Sequence, residues 1–333
     1  MILYDVITVG SNTIDVFVKT DVKVVHKHHA KSKKVNADEF CLAYPVGEKI
    51  LINHLEFQVG GGGTNTAVSF ARLGLKTAYL GKIGDDENGV KVFRLLKKEK
   101  IKFIGPLGKS NGYSVILDSI KEDRTILTHK GCNDSLSKEE LHKSFLKTKW
   151  FYFSSMIGKS LETLKFLATY AKNSGIKLAF NPSSYLTKKG PEHIKEILQA
   201  TNVLIMNKEE GCYLTNTKNI NSILKKLKKY ATDYVVITDG AKGAYCFDGK
   251  KRYFGAPKKN IEIHETTGAG DAFASAFVAG LIRKKDIKTA MKQAFIQAES
   301  VIQAYGAKND LLTNKKIIAL LKKDRRKIEI KNM

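Results

Sequence analysis

From residue 60 onward the chain alternates short β-branched and aromatic runs with longer helical text, and this alternation limits the fold more than any other feature. Strands are expected at 77–83, 151–153, 176–180, 203–206, 234–238 and 244–247, with helices at 65–73, 87–100, 161–173, 191–199 and 220–229. Strands joined through helical crossovers return parallel to one another. Burial on both faces of such a sheet explains why these runs are apolar throughout. The expected fold class is therefore α/β, with a mostly parallel, doubly wound sheet. Three helices close the chain at 268–283, 286–305 and 314–322, and the charged tail 322–331 is expected to fray.

The N-terminal part has a different texture. A first strand at 3–9 ends at Gly10-Ser11-Asn12, and β-rich pieces follow at 16–18, 22–25, 49–52 and 55–59. A basic segment, 26–34, lies among them, and 113–117 with 124–128 reads as a further strand pair. This pattern describes a small β element inserted early in the fold, with a basic loop; a surface hairpin without chemistry would read the same way.

Lysine and arginine number 57 against 33 acidic residues, a formal charge of +24. Such a surplus suits nucleic acid, anionic membranes or phosphorylated ligands, but equally a solvated lysine-rich surface. No zinc-finger, helix-turn-helix or RNA-recognition signature accompanies it, so no specific nucleic-acid partner is expected. Cys41, Cys132, Cys212 and Cys246 form no C-x-x-C pair, which argues against a zinc ribbon. The longest apolar stretch, 272–282, is too short to span a bilayer. The first residues lack the basic start of a signal peptide, and a cytoplasmic location is the default.

Two glycine motifs carry the chemistry. Thr266-Thr267-Gly268-Ala269-Gly270-Asp271 runs directly into a small, apolar helix. Glycines at a helix start let backbone N–H groups converge on an anion, which the helix dipole also favours. Asp271 in the first turn then lies where a carboxylate can take a proton from an attacking hydroxyl. Read alone, the aspartate could as well just complement the dipole. Upstream, Gly60-Gly61-Gly62-Gly63-Thr64-Asn65 ends a strand and opens a helix. It allows close approach to the backbone, and Asn65 offers a donor and acceptors to sugar hydroxyls. Neither a Walker A sequence nor a dinucleotide fingerprint is present.

With these motifs stand Gly84-Asp85-Asp86-Glu87-Asn88-Gly89, Arg124-Thr125-Ile126, Asn181-Pro182, Asn207-Lys208-Glu209-Glu210 and Thr238-Asp239-Gly240-Ala241-Lys242-Gly243. In that order they resemble the pfkB, or ribokinase-like, family of carbohydrate kinases over nearly the whole chain. The resemblance implies a ribokinase-like three-layer α/β/α sandwich, one kinase domain over 1–333, with a small β-lid from about 15–57 and 110–130. It implies ATP as phosphate donor and magnesium as cofactor. Asp271 matches the catalytic base, and Gly268, Ala269 and Gly270 match the anion hole. Asp15 matches the residue that grips substrate hydroxyls, aided by Gly61, Gly62 and Asn65. Asn207 and Glu210 match the motif that organises the magnesium–phosphate shell, Glu210 through water. Thr238, Gly240 and Gly243 match the nucleotide-side loop.

Three positions depart from the ribokinase pattern. Thr13 stands where ribokinases have asparagine two residues before the substrate aspartate, and Asn12 is out of register. Gly62 replaces a lysine. Glu265 replaces an aspartate at a loop associated with a monovalent cation, so potassium stays open. Lids of this family often pair, which implies a homodimer. The expected acceptor is a small sugar, with a nucleoside as the alternative. Phe40, Tyr44 and Phe57 are candidates to flank a base, and Lys23, His26, Lys27, His28, His29 and Lys31 to bind the phosphate of a phosphosugar.

Overall fold

The computed structural model describes residues 3–19, 23–26, 40–118 and 124–333. The chain opens with β1 (Tyr4–Val9), crosses into β2 (Thr13–Lys19), and continues through β3 (Lys23–His26), β4 (Phe40–Ala43) and β5 (His54–Gly60). Helix α1 (Gly62–Arg72), β6 (Thr77–Leu80), β7 (Ile83–Gly84) and α2 (Glu87–Lys98) follow, then β8 (Lys102–Phe103), β9 (Leu107–Gly108), β10 (Gly112–Asp118) and β11 (Arg124–His129). Regular alternation begins with β12 (Thr148–Ser154), α3 (Lys159–Asn173), β13 (Lys177–Asn181), α4 (Ser184–Thr187) and α5 (Lys195–Ala200). It goes on through β14 (Val203–Asn207), α6 (Lys208–Thr215), α7 (Ile220–Lys228), β15 (Tyr234–Thr238), β16 (Ala244–Phe247) and β17 (Lys251–Gly255). Helices α8 (Ala269–Ile282), α9 (Ile287–Val301) and α10 (Asn314–Lys323) precede a last strand, β18 (Glu329–Asn332).

Ten strands form the central sheet in the order β18-β17-β16-β15-β14-β13-β12-β1-β6-β8. From β8 to β15 every pairing is parallel, and β16, β17 and β18 add an antiparallel edge. Strand residues divide by parity, as a pleated sheet requires. Ile7, Phe151, Phe153, Leu178, Phe180, Leu204, Val235 and Ile237 face a core completed by α3, α5 and α7. Val6, Tyr152, Ala179, Val203, Ile205 and Val236 face the opposite core, completed by α1, α8, α9 and α10. Each such large apolar side chain contributes about 1.5–3 kcal/mol when fully buried. Two cores on two faces make the expected three-layer α/β/α sandwich.

The lid is a four-stranded sheet, β11-β10-β2-β5. One face packs Ile14 and Val16 onto Ala67, Val68, Val92 and Leu96 of α1 and α2. The crossing from β1 to β2 is pinned by Asn12, whose Nδ2 donates to the Tyr79 hydroxyl (2.9 Å) and to the Lys82 carbonyl (2.8 Å). Asn133 closes the same joint, donating to the Asn12 carbonyl and accepting from the Asn12 N–H. Asn12 is thus a structural pin, one residue out of register for a substrate.

Several expectations need correction. Residues 49–52 form an exposed loop: this β-branched, apolar run pairs with no strand among the described residues. The strand expected over 77–83 breaks at Gly81-Lys82, and Ile83–Gly84 turns away to pair with β9. The charged tail does not fray: Glu329–Asn332 pairs antiparallel with β17. Helix α6 and strand β17 were missed, and the basic stretch 27–34 lies outside the described residues.

Candidate active site

Open parallel sheets of this kind bind their ligands beyond the C-terminal ends of the strands. Ser154, Asn181, Asn207 and Thr238, the last residues of β12, β13, β14 and β15, line one cleft of about 370 Å³. Gly62, Glu210, Thr266, Gly268, Gly270 and Asp271 complete its wall. A second cavity of about 660 Å³ is bounded by Gly240, Gly243, Ala269, Phe273, Phe295 and Ile302. Thr238, Thr266 and Gly270 line both, so the two cavities meet at the start of α8.

Gly268 caps α8 in the left-handed region, φ +79°, and a Cβ there would lie 2.4 Å from the Ala307 side chain. Both demands select glycine. Ala269 and Gly270 follow in the first turn, whose N–H groups have no partner within the helix. Asp271 is the third helical residue. Its carboxylate keeps an open edge on the cleft while protein encloses the rest. Burial pushes its pKa up to about 6; the Asn65 amide and the Lys308 ammonium pull it down, and Asp15 pushes it up.

Asn65, in the first turns of α1, donates from Nδ2 to Asp271 Oδ2 at 2.8 Å. Asp15, on β2, accepts from Thr13 Oγ1 at 2.7 Å. A Cβ on Gly60 would fall 1.7 Å from Asp15 Oδ2, so the strand end before α1 must be glycine for the carboxylate to stand there. Gly61 is the N-cap of α1, and Gly62 faces Ser154, where a Cβ would approach within 3.0 Å. Asp15 and Asn65 lie beyond the cleft lining, on the lid side of Asp271.

Asn207 and Glu210 form a capping box on α6. The Asn207 side chain accepts from the Glu210 N–H (2.8 Å), and Glu210 Oε2 accepts from the Asn207 N–H (3.0 Å). The pair thus caps the helix, yet the glutamate is not a solvated acid. Burial, reinforced by Glu209 and Asp271, raises its pKa to about 7. Gly240 opens a single 3-10 turn after β15, and Gly243 ends it at φ +112°, against the second cavity.

The structure adds residues that the motifs did not name. Lys308, 6 % exposed, donates from Nζ to Asn65 Oδ1 and to the Val59 carbonyl. Ser154 buries its hydroxyl in the cleft wall without a protein partner, and Tyr185 and Lys130 line the same wall, Nζ 4.6 Å from the ring centroid. Glu265 Oε2 accepts from the Gly306 N–H at 2.7 Å, joining the loop before α8 to the loop after α9. The aromatic expectation fails for Phe57. It pairs with Val16, while Asp15 pairs with Gln58, so strand alternation turns Phe57 to the opposite face. The side chains of Phe40 and of the lid cations Lys23 to Lys31 lie outside the described residues.

A parallel sandwich that brings a buried carboxylate, a glycine-lined helix start and two meeting cavities together has the architecture of a small-molecule kinase. The chain belongs to the pfkB family carbohydrate kinases, whose family model matches residues 34–314. The ribokinase of Bacillus subtilis (strain 168) is 26% identical over 280 residues, 83% of this chain and 92% of that protein. The cytidine kinase of Thermococcus kodakarensis is 25% identical over 278 residues, 80% of this chain and 93% of the relative. Among solved structures, Arabidopsis thaliana ribokinase complexed with ribose and ATP superposes with a TM-score of 0.79 at 20% identity, covering 96% of this chain and 99% of that one. At that identity the likeness shows the fold.

Proposed function

We propose that this ATP-dependent kinase phosphorylates a hydroxyl of a small sugar, with Asp271 as the proton acceptor. The observation that carries the reading is the position of Asp271, in the cleft wall next to Gly270 where the two cavities meet, and linked through Asn65 and Lys308 to the end of β5 in the lid. The acceptor hydroxyl gives its proton to Asp271 while its oxygen bonds the γ-phosphorus and the bond to the ADP oxygen breaks. N–H groups at the helix start, of the cap Gly268 and of Ala269 and Gly270, receive the charge on the transferring group. Asp15, Gly61, Gly62 and Asn65 hold the acceptor; Asn207, Thr238, Gly240 and Gly243 stand on the nucleotide side, with the base against Phe273, Phe295 and Ile302.

The residues present fit magnesium. Glu210 is a buried carboxylate in the cleft, and burial, with Glu209 and Asp271 nearby, raises its pKa, so a bound cation there would be favoured. No cluster of three or more potential ligands occurs among the described residues, so water and phosphate oxygens would complete the shell. Bound there, the ion would neutralise phosphate charge. Potassium beside the Glu265–Gly306 loop junction, a cytoplasmic location and one kinase unit over 1–333 belong to the same proposal. Among the described residues no helix is long and apolar enough to cross a membrane.

A nucleoside acceptor is the second reading, favoured by the Tyr185 ring in the cleft wall. An ATP-consumption screen over sugars, sugar acids, sugar phosphates and nucleosides, with and without Mg²⁺ and K⁺, separates the two. The expected result is turnover on a neutral sugar, and an Asp271→Asn variant that binds the acceptor but loses about 10²–10⁴-fold in kcat. Near-normal turnover by Asp271→Asn removes the assigned role, and a preference for nucleosides selects the second reading.

A further inference from the structure

We infer that Lys308 is a built-in counter-ion of the acceptor site, a positioning residue that orients Asn65 and keeps Asp271 ready to accept a proton. The inference rests on Asp271 being the base. An ammonium group only donates, so its bond to the Asn65 oxygen fixes the amide with Nδ2 toward Asp271, where the 2.8 Å bond is made. A second Nζ bond, to the Val59 carbonyl, ties the lysine to the end of β5, next to Gly60 and Asp15.

The loop carrying Lys308 is itself held at several points. Arg72 Nη1 donates to the Lys308 carbonyl (2.7 Å) and the Leu311 carbonyl (3.2 Å), and its Nη2 pairs with Glu99 at 2.6 Å. On the other side Glu265 accepts from the Gly306 N–H. A lysine confined in this way cannot swing out to water, and burying it is tolerated only because acid groups surround it.

The charge balance explains its use. Asp15 on β2 and Asp271 on α8 support the charge of Lys308 electrostatically, Glu99, just past α2, adds to this, and Arg72 on α1 opposes it. Glu210 on α6 and Tyr152 on β12 also feel Asp271. Without the ammonium, the repulsion of Asp15 on Asp271 would go uncompensated by Lys308. Asp271 would then hold its proton into the neutral range and could not take another. Lys308 retains its own proton at neutral pH, since burial lowers its pKa to about 8 and no further.

The test is the pH dependence of kcat/KM for the acceptor in wild type, Lys308→Met and Lys308→Gln. Gln keeps a donor for Asn65 and lacks the charge. In both variants the acidic limb should move up by about one to three pH units, as expected when a nearby opposite charge is lost. Activity at pH 6 should fall at least about fivefold and recover as the pH rises toward 8.5, with Gln closer to wild type at the plateau. ADP binding within twofold of wild type reports that the variants are folded. A uniform loss at every pH, an unmoved acidic limb, or a change confined to acceptor KM would overturn the inference. An inactive wild type would instead overturn the kinase reading, so the two failures are distinguishable.

Discussion

At the scale of single residues, adjacent glycines that look interchangeable in sequence do different jobs. Gly60 to Gly63 read as one flexible turn, yet Gly60 alone faces the Asp15 carboxylate, where a Cβ would lie 1.7 Å from Oδ2. Gly60→Ala should push Asp15 off its position while leaving α1 and Asp271 in place. Acceptor KM is expected to rise at least about tenfold, with ATP KM unchanged, consistent with loss of a charged hydrogen bond worth about 1.5–3 kcal/mol. Steady-state kinetics with each substrate varied will show this; a variant with wild-type acceptor KM would separate Asp15 from the acceptor. Asp271 was legible because an ordered motif surrounds it. Lys308 was not, since one lysine in a chain with 57 basic residues gives no signal until folding buries it.

At the scale of elements, legibility followed the range of the forces. Central strands and crossover helices are written in local periodicity, and their ends were read to within a few residues. The 49–52 run shows the opposite case: it is rich in strand-favouring residues, but a strand exists only if another pairs with it, and pairing is not local. The lid edges pose the same question between molecules. Strands β5 and β11 are the outer strands of the lid, and Leu55, Phe57, Ile126 and Leu127 are exposed along them. Unpaired apolar edges of this kind favour association with a second sheet. The expected state is therefore a homodimer through the lids, seen by sedimentation at micromolar concentration. Leu127→Asp with Phe57→Asp should give a monomer with raised acceptor KM and an intact catalytic centre. A wild-type protein that sediments as a monomer throughout this range would remove the lid interface.

Across the whole molecule, the C-terminal segment that reads as a charged, fraying tail closes the far edge of the sheet. Its cations make specific contacts. Arg326 Nη2 meets Glu299 Oε1 at 2.6 Å, with both side chains almost wholly buried, and the guanidinium lies 4.5 Å from the Phe295 ring centroid. Glu299 and Phe295 also line the larger cavity, and Glu299 accepts from the Lys258 N–H at 2.9 Å on its opposite rim. The last residues of the chain thus brace the wall on which the nucleotide is proposed to sit. Removing one partner of such a pair leaves a buried charge uncompensated, at a cost of about 3–5 kcal/mol. Arg326→Ala should therefore lower the melting temperature and raise ATP KM, while acceptor KM stays near wild type because Asp15, Asn65 and Lys308 lie on the other side of α8. Adding Glu299→Gln should recover part of the stability, since one of the two carboxylates beside Arg326 is neutralised while Asp324, 3.7 Å from the guanidinium, keeps its charge, and only part of the ATP affinity, because the brace is still missing. Calorimetry and ATP titration of the single and double variants measure the two effects separately. If Arg326→Ala raises acceptor KM and ATP KM equally, the tail supports the sheet as a whole and not the nucleotide wall.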